Sequence, residues 1–380
     1  MDLELNDIQQ ELKSTVGRLL KDKYGPEQRE EILRSEAGWS QQMWDQFAQL
    51  GLMSLPIEEE YGGAGMGFGE VAVVMEAFGR ALVLEPYLPT VILGAGLIQA
   101  AGSEDQKAEL LPAVAAGELK LAFAAQEPAG RYDFLNPTTT AQASGDGYTV
   151  SGEKAQVIGG DAADTFVVTA KVDDELGLFL VKADADGVTV DPRTQADGLR
   201  SASVLFDGAA AQRLEAGDAA AAIERVLDTA QAALAAEAVG AMEAALFMTA
   251  DYLKTREQFG VPIGVFQTLQ HRAADAYAKL EEAKSMALYS KLAIEADTDG
   301  TSKTRHADVL AAKVIIDQSA RHIFSESIQM HGGIGMTMEY PIGHYAKRLT
   351  VIPRTFAAPD QALVELGEVG GLLEPYAADL

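Results

Sequence analysis

YLKTREQFGVPIGVFQTLQHRAADA, residues 252–276, sets a cation, an aromatic ring and two helix-breaking residues in one short span. Arg256 and Phe259 fall together where a helix is expected to end; Gly260 supplies the stop, and Pro262 is suited to start the next helix. An arginine there can grip a phosphate with two parallel N–H bonds while the phenyl ring lies against a planar heterocycle. The plain alternative is a helix–turn–helix with a surface arginine. A second stretch, QMHGGIG at 329–335, follows Gln329 with paired glycines, which let backbone amides come close to an anionic group. Its plain alternative is a helix C-cap with a left-handed glycine.

Composition narrows what such sites can serve. The chain has 380 residues, 48% hydrophobic and 23% charged, as in ordinary globular proteins. A net charge of -27 argues against nucleic-acid or anionic-membrane partners, which need a cationic face. With no cysteine, disulfides, thiol catalysis and thiolate-held metals are excluded. The start, MDLELNDIQQELK, has neither the basic nor the apolar region of a signal peptide, and the most apolar stretches read as too short or too interrupted for a membrane span. The expected location is cytoplasmic.

Three zones follow one another, giving an α+β chain. Residues 1–118 carry helical periodicity: Ile8, Leu12, Val16, Leu19 and Leu20 after the cap Asn6, then a helix begun by Ser40, one over Phe68–Leu82, and a capping-box spacing at Ser103–Gln106. Residues 119–217 switch to short Val/Thr/Phe runs broken by GDG, DADG and ADG turns, the pattern of a β-barrel-like antiparallel domain. Residues 218–380 return to helix, with segments expected at 219–254, 263–296 and 304–330 and a short one after Pro359, forming a four-helix bundle.

Searches for common catalytic patterns find little. The histidines form no metal-binding array, and His322 with Glu326 reads as an exposed helix pair rather than a metal site. GGAGMG at 62–67 lacks the preceding strand and the spacing of a dinucleotide fingerprint, and reads as a loop.

Taken together, EEYGGAGMG, AAQEPAGRYD, the 252–276 stretch and QMHGGIGMTMEYP make the chain resemble the acyl-CoA dehydrogenase family over nearly its whole length. The resemblance implies an N-terminal helical domain, a middle β domain and a C-terminal bundle. It also implies FAD, with a glutamate removing the α-proton of an acyl-CoA thioester and electrons leaving to an electron-transfer flavoprotein. In the family FAD crosses a dimer interface, and the neighbouring subunit clamps its pyrophosphate and adenine side. Arg256, Phe259, Ile263, Gln267, Gln329, Gly332 and Gly333 stand where the clamp residues stand.

The positions for the chain's own flavin ring depart from the family pattern. Gln126 replaces the threonine of "TEP", Tyr132 the serine of "GSD", and Gln156 and Ile158 the Trp and Thr of the "W-I/V-T" segment. Ile158 can neither donate nor accept a hydrogen bond. The two places where the family carries its base fall on Phe356 and Ala230. Asp228 matches an aspartate near CoA, but the arginine three residues on is Gln231. Residues 340–359 hold no acidic side chain at all.

The expectation is therefore a subunit without its own catalytic glutamate that completes the FAD site of a catalytic partner, as α2β2. The rivals are a self-sufficient homotetramer with a relocated base (Asp360, Glu237 or Asp228), a different flavin reaction needing no such base, and an acyl-CoA-binding or assembly protein without FAD.

Overall fold

The computed structural model describes residues 4–369, apart from 146, 299, 303 and 338. The chain divides into two compact units, each drawing on more than one sequence zone: Met1–Arg29, Phe68–Val83 and Gln231–Leu380 make one, and Glu30–Gly67 with Leu84–Ala230 the other.

Six helices come first: α1 (Asp7–Lys23), α2 (Pro26–Arg34), α3 (Gln41–Gln49), α4 (Phe68–Ala81), α5 (Ala95–Ala101) and α6 (Glu104–Ala115). Their starts follow local chemistry. Asn6 accepts from the Gln9 amide while the Gln9 side chain accepts from Asn6 N–H, and Ser103 and Gln106 repeat this reciprocal cap at α6. Ser40 caps α3 through the Met43 amide.

The β region has seven strands: β1 (Leu121–Ala124), β2 (Thr140–Ser144), β3 (Gly147–Ile158), β4 (Thr165–Val172), β5 (Glu175–Lys182), β6 (Val188–Thr194) and β7 (Arg200–Arg213). Pairings β4–β5, β5–β7, β7–β3, β3–β2 and β2–β4 close a small barrel, with β1 added along β4 and β6 along β7. Most pairs are antiparallel, as the turn signals imply. However, β1 and the start of β2 run parallel to β4, because long connections rather than hairpins lead to them. The barrel interior holds Val150, Phe166, Phe179, Val204 and Phe206. Phe166 meets Phe206 edge to face at 5.9 Å.

The remaining elements are α7 (Ala219–Thr255), the two-residue strands β8 (Glu257–Gln258) and β9 (Val261–Pro262), α8 (Gln267–Ala296), α9 (Arg305–His331), α10 (Ile342–Val351) and α11 (Pro359–Glu368). Helices α8, α10 and α11 all pack on α9. Contrary to the reading that no stretch is long enough to span a membrane, α7 meets that test by length and apolar composition. Its apolarity is largely alanine, and 78% of the apolar window is buried inside the protein.

Small side chains on α7 allow its backbone to touch that of α4. A Cβ on Gly79 would lie 1.9 Å from the Glu237 carbonyl oxygen, and one on Gly240 would lie 1.9 Å from the Glu76 carbonyl oxygen. Gly→Ala inside a helix ordinarily stabilises by about 1 kcal/mol. Here Gly240→Ala is expected to destabilise by about 3 kcal/mol, since two backbones must separate to admit the methyl. Urea unfolding checks this, and a stabilised variant would refute the close crossing.

Candidate functional site

The 252–276 stretch folds differently from the expected helix–turn–helix. Helix α7 stops at Thr255, and β8 and β9 form a tiny hairpin with Gln258 paired to Val261. Phe259 (φ 54°) and Gly260 (φ 79°) make its turn, so Gly260 serves the hairpin rather than capping a helix, and Pro262 lies in β9. Two successive left-handed residues are what a two-residue hairpin loop requires. The Arg256 amide donates to the Tyr252 carbonyl, and the Ile263 amide donates to the Arg256 carbonyl, both at 2.8 Å. Arg256 is thereby fixed at the hairpin base with its side chain exposed, and it makes no ion pair or side-chain hydrogen bond among the described residues. Phe259 is 93% exposed, its ring edge-on to Phe266 at 6.1 Å. Ile263 is half-buried and Gln267 exposed.

The second stretch does end a helix. Gly332 closes α9 at φ 64°, a conformation that favours glycine. Gly333 has no such φ, and a Cβ there would meet nothing within 4 Å. Among the described residues nothing requires glycine at 333, and its missing side chain leaves the backbone open. Gln329 and both glycines are exposed.

One aromatic cluster joins the two stretches. The His331 ring stacks on Tyr252 at 4.4 Å and lies 5.0 Å from Tyr340. His331 is buried, and its Nδ1 is 2.7 Å from the Ser327 carbonyl oxygen. Burial pushes its pKa down, so the imidazole is neutral with the proton on Nδ1. Tyr252 sits one turn before Arg256 and His331 directly before the glycines, so the stack brings the two motifs to one place.

The two positions at which the resemblance places the base, Phe356 and Ala230, hold no carboxylate. Phe356 is half-buried at φ 65°, and Ala230 is fully buried. Of the relocated candidates, Glu237 is sequestered: Arg348 Nε and Nη2 donate to its two oxygens at 2.6 and 2.7 Å. Asp228 is buried, and Asp360 is exposed in the first turn of α11.

These contacts give the acid-free segment a further reason. Its cations neutralise buried acids elsewhere, Arg348 meeting Glu237 on α7 and Arg354 acting on Asp317 of α9. Sequence reading missed Asp317. It is buried beside Lys313, 3.2 Å away, whose Nζ donates to the Pro353 carbonyl at 2.9 Å. Burial pushes the Asp317 carboxyl up to about 6, against the pull of Lys313 and Arg354. The one-turn spacing of Lys313 and Asp317 in VLAAKVIIDQSA was the available signal.

The other flavin-ring positions lie in the barrel unit. Gln126 Nε2 donates to Gln156 Oε1 at 3.3 Å, and Gln156 is held at φ 51°. Tyr132 and Ile158 are half-buried. Beneath them, Glu127 accepts from the amides and hydroxyls of Thr138 and Thr139 at 2.6–2.9 Å and from Lys154 Nζ at 2.8 Å. Burial raises the Glu127 carboxyl, but these donors outweigh it and hold it down at about 2. Burial lowers Lys154 to about 8 despite Glu127. The GGAGMG loop offers no phosphate cradle, because the amides of Ala64, Gly65 and Met66 are bonded to carbonyls of residues 54, 57 and 55.

Family models for the acyl-CoA dehydrogenase N-terminal, middle and C-terminal domains match residues 6–118, 122–208 and 219–353. Acyl-CoA dehydrogenase FadE12 of Mycobacterium tuberculosis is 32% identical over 325 residues, covering 79% of this chain and 80% of that protein. The chain belongs to the acyl-CoA dehydrogenase family. Similar solved structures include a variant of the Tcur3481–Tcur3483 steroid ACAD (32% identity, TM-score 0.87, 96% and 97% of the two chains). The ChsE4–ChsE5 complex of M. tuberculosis is another (26% identity, TM-score 0.87, 97% and 98%). Membership assigns this acyl-CoA dehydrogenase to FAD-dependent oxidation of a CH–CH bond in an acyl-CoA thioester, with FAD as its cofactor. Arg256 and the open backbone at Gly333 suit the anionic part of FAD. The bonded Gln126–Gln156 pair and Ile158 do not reproduce the hydroxyls expected around a flavin ring.

Lys154→Met strands the buried Glu127 charge and is expected to cost about 3–5 kcal/mol in urea unfolding. Glu127→Gln added to it should recover part, because the orphaned charge is then gone. No recovery would mean that Lys154 acts through packing alone.

Proposed function

We propose that this chain is the non-catalytic subunit of a heteromeric, α2β2 acyl-CoA dehydrogenase. It completes from across the interface the FAD site of a catalytic partner. The observation that carries this reading is a contrast within one chain. Arg256 has no side-chain partner among the described residues, Phe259 is 93% exposed with Phe266 as its ring contact, and Gly332 and Gly333 are exposed, while the base positions hold Phe356 and Ala230. In the complex, Arg256, the open backbone at Gly332 and Gly333, and the side-chain amides of Gln267 and Gln329 would hold the FAD pyrophosphate. Phe259 and Ile263 cover the adenine side. FAD held there would supply the hydride acceptor for the β-carbon, with the base that takes the α-proton belonging to the partner.

The similarity to the steroid ACAD and to the ChsE4–ChsE5 complex supports pairing of unlike chains and a bulky acyl-CoA substrate; the oxidant of the complex in this reading is an electron-transfer flavoprotein. Sequestration of Glu237 weighs against the self-sufficient alternative. The outward clamp weighs against a protein without FAD.

Flavin content tests the reading directly. The chain alone should retain little FAD, and the complex should carry about one FAD per two chains. A yellow homotetramer with one FAD per chain overturns it.

Arg256→Ala removes a charge-assisted bond of roughly 1.5–3 kcal/mol. FAD affinity of the complex should fall about one to two orders of magnitude. Arg256→Lys should recover only part, lacking the planar fork. Unchanged flavin retention would make Arg256 a surface residue.

Asp360→Asn and Asp228→Asn should each leave most of the turnover of the complex. A loss of about a thousandfold from either, with folding and flavin intact, would make this chain catalytic.

A further inference from the structure

Gln231, Leu234 and Ala235 of α7, Lys313, Ile316 and Asp317 of α9, and Ile352 and Thr355 line a small cavity of about 10 Å³. Two buried acceptors on its wall have no hydrogen-bond partner, Gln231 Oε1 and Asp317 Oδ2. The latter lies 3.2 Å from Lys313 Nζ without an aligned hydrogen bond. Buried acceptors short of hydrogen bonds are costly, even where, as for Asp317, an ion pair with Lys313 offsets part of the cost.

We propose that this cavity is a built site for one water molecule, which donates one proton to Gln231 Oε1 and the other to Asp317 Oδ2, and so pins the 352–355 segment to α7 and α9. The size is at the lower end of what holds a single water. The charge fits too: Lys313 already supplies a cation, so a metal ion would be repelled, whereas water brings the two donors that are lacking. Lys313 donates to the Pro353 carbonyl and retains N–H donors, giving the water a third partner within the two-to-four that buried waters make. The raised carboxyl of Asp317 agrees with a site in which burial is only partly compensated. Phe356, at φ 65°, follows the pinned segment directly. The water with Lys313 therefore positions the stretch that carries one of the family's base positions, and it does so whether or not the chain pairs with a catalytic partner.

The sequence also shows what stands in for this water elsewhere. Gln231 occupies the place of the arginine that follows the family aspartate matched by Asp228. A guanidinium there would fill the cavity and donate to Asp317 itself.

A crystal structure of the purified protein, in whatever assembly it forms, at a resolution that shows ordered solvent, is the first test. One water within hydrogen-bond reach of both Gln231 and Asp317 is expected. A dry cavity, or a water that touches only one of them, overturns the proposal. Two variants provide the second test. Gln231→Met removes one acceptor; the water should vanish, and amide hydrogen exchange in residues 352–356 should quicken about tenfold. Gln231→Arg should also expel the water but leave that exchange at or below the wild-type rate, because the guanidinium takes over the bridge. If both variants loosen the segment equally, side-chain volume rather than hydration holds it and the proposal fails. The heteromer reading is untouched by either result, since flavin stoichiometry is not the readout.

Discussion

The contact between the backbones of α4 and α7 at Gly79 and Gly240 constrains much of what surrounds it. Helices that approach this closely leave no space for side chains at the crossing. Glu237 and Glu243 stand one turn to either side of Gly240 and are drawn in with it. A carboxylate in such a place must be paired. Arg348 of α10 answers Glu237 with both arms of its guanidinium, and Arg80 and Lys284 answer Glu243. The route of the chain after α9 is thus bound to the helix crossing, since α10 must deliver a cation to α7. The absence of acids between 340 and 359 belongs to the same requirement: a carboxylate near Arg348 would compete for it.

The barrel unit depends on a pair of the same kind. Lys154 is 0% exposed and bonds Glu127, Thr169 and, more weakly, the Ala125 carbonyl. The pair ties the segment leaving β1 to the middle of β3. Gln126 and Gln156 lie directly beside its two ends, and the Ala155 amide donates to the Gln126 carbonyl at 2.7 Å. The family scaffold around the flavin-ring positions is therefore held rigidly, while the side chains it presents have changed.

Local chemistry made the helices readable. Asn6, Ser40 and Ser103 cap where their side chains can reach an amide three residues on, and the apolar spacing of Val71, Val74, Met75 and Phe78 marks the buried face of α4. What stayed hidden depends on partners distant in sequence. Glu237 and Arg348 are 111 residues apart, and nothing near either names the other. Parallel pairing of β1 with β4 is equally non-local. At 256–263 the signals misled: Phe-Gly after a helical run reads as a C-cap, and only the pairing of Gln258 with Val261 reveals a hairpin. The family was legible through resemblance, and the Lys313–Asp317 cavity was not, because burial cannot be read from spacing alone.

Phe259 ties the fold to the site. A β-carbon at φ 54° is strained, by roughly 1–3 kcal/mol for a residue held in such a region. The hairpin forces it there, with the Gln258–Val261 pair on one side and the Arg256–Ile263 bond on the other. Asn or Gly would occupy that position with less strain. Among the described residues, Phe266 is the single aromatic contact made by its ring, which is otherwise open to solvent. Within this chain the phenyl group neither relieves strain nor buries surface. In the proposed complex, a flat apolar group laid against it would supply the compensation. The same reasoning applies to Gly333, whose missing side chain creates space that this chain does not use. A strained aromatic and a glycine with open space beside it, joined through the Tyr252–His331 stack, are the features that the proposed clamp on a partner's cofactor would use.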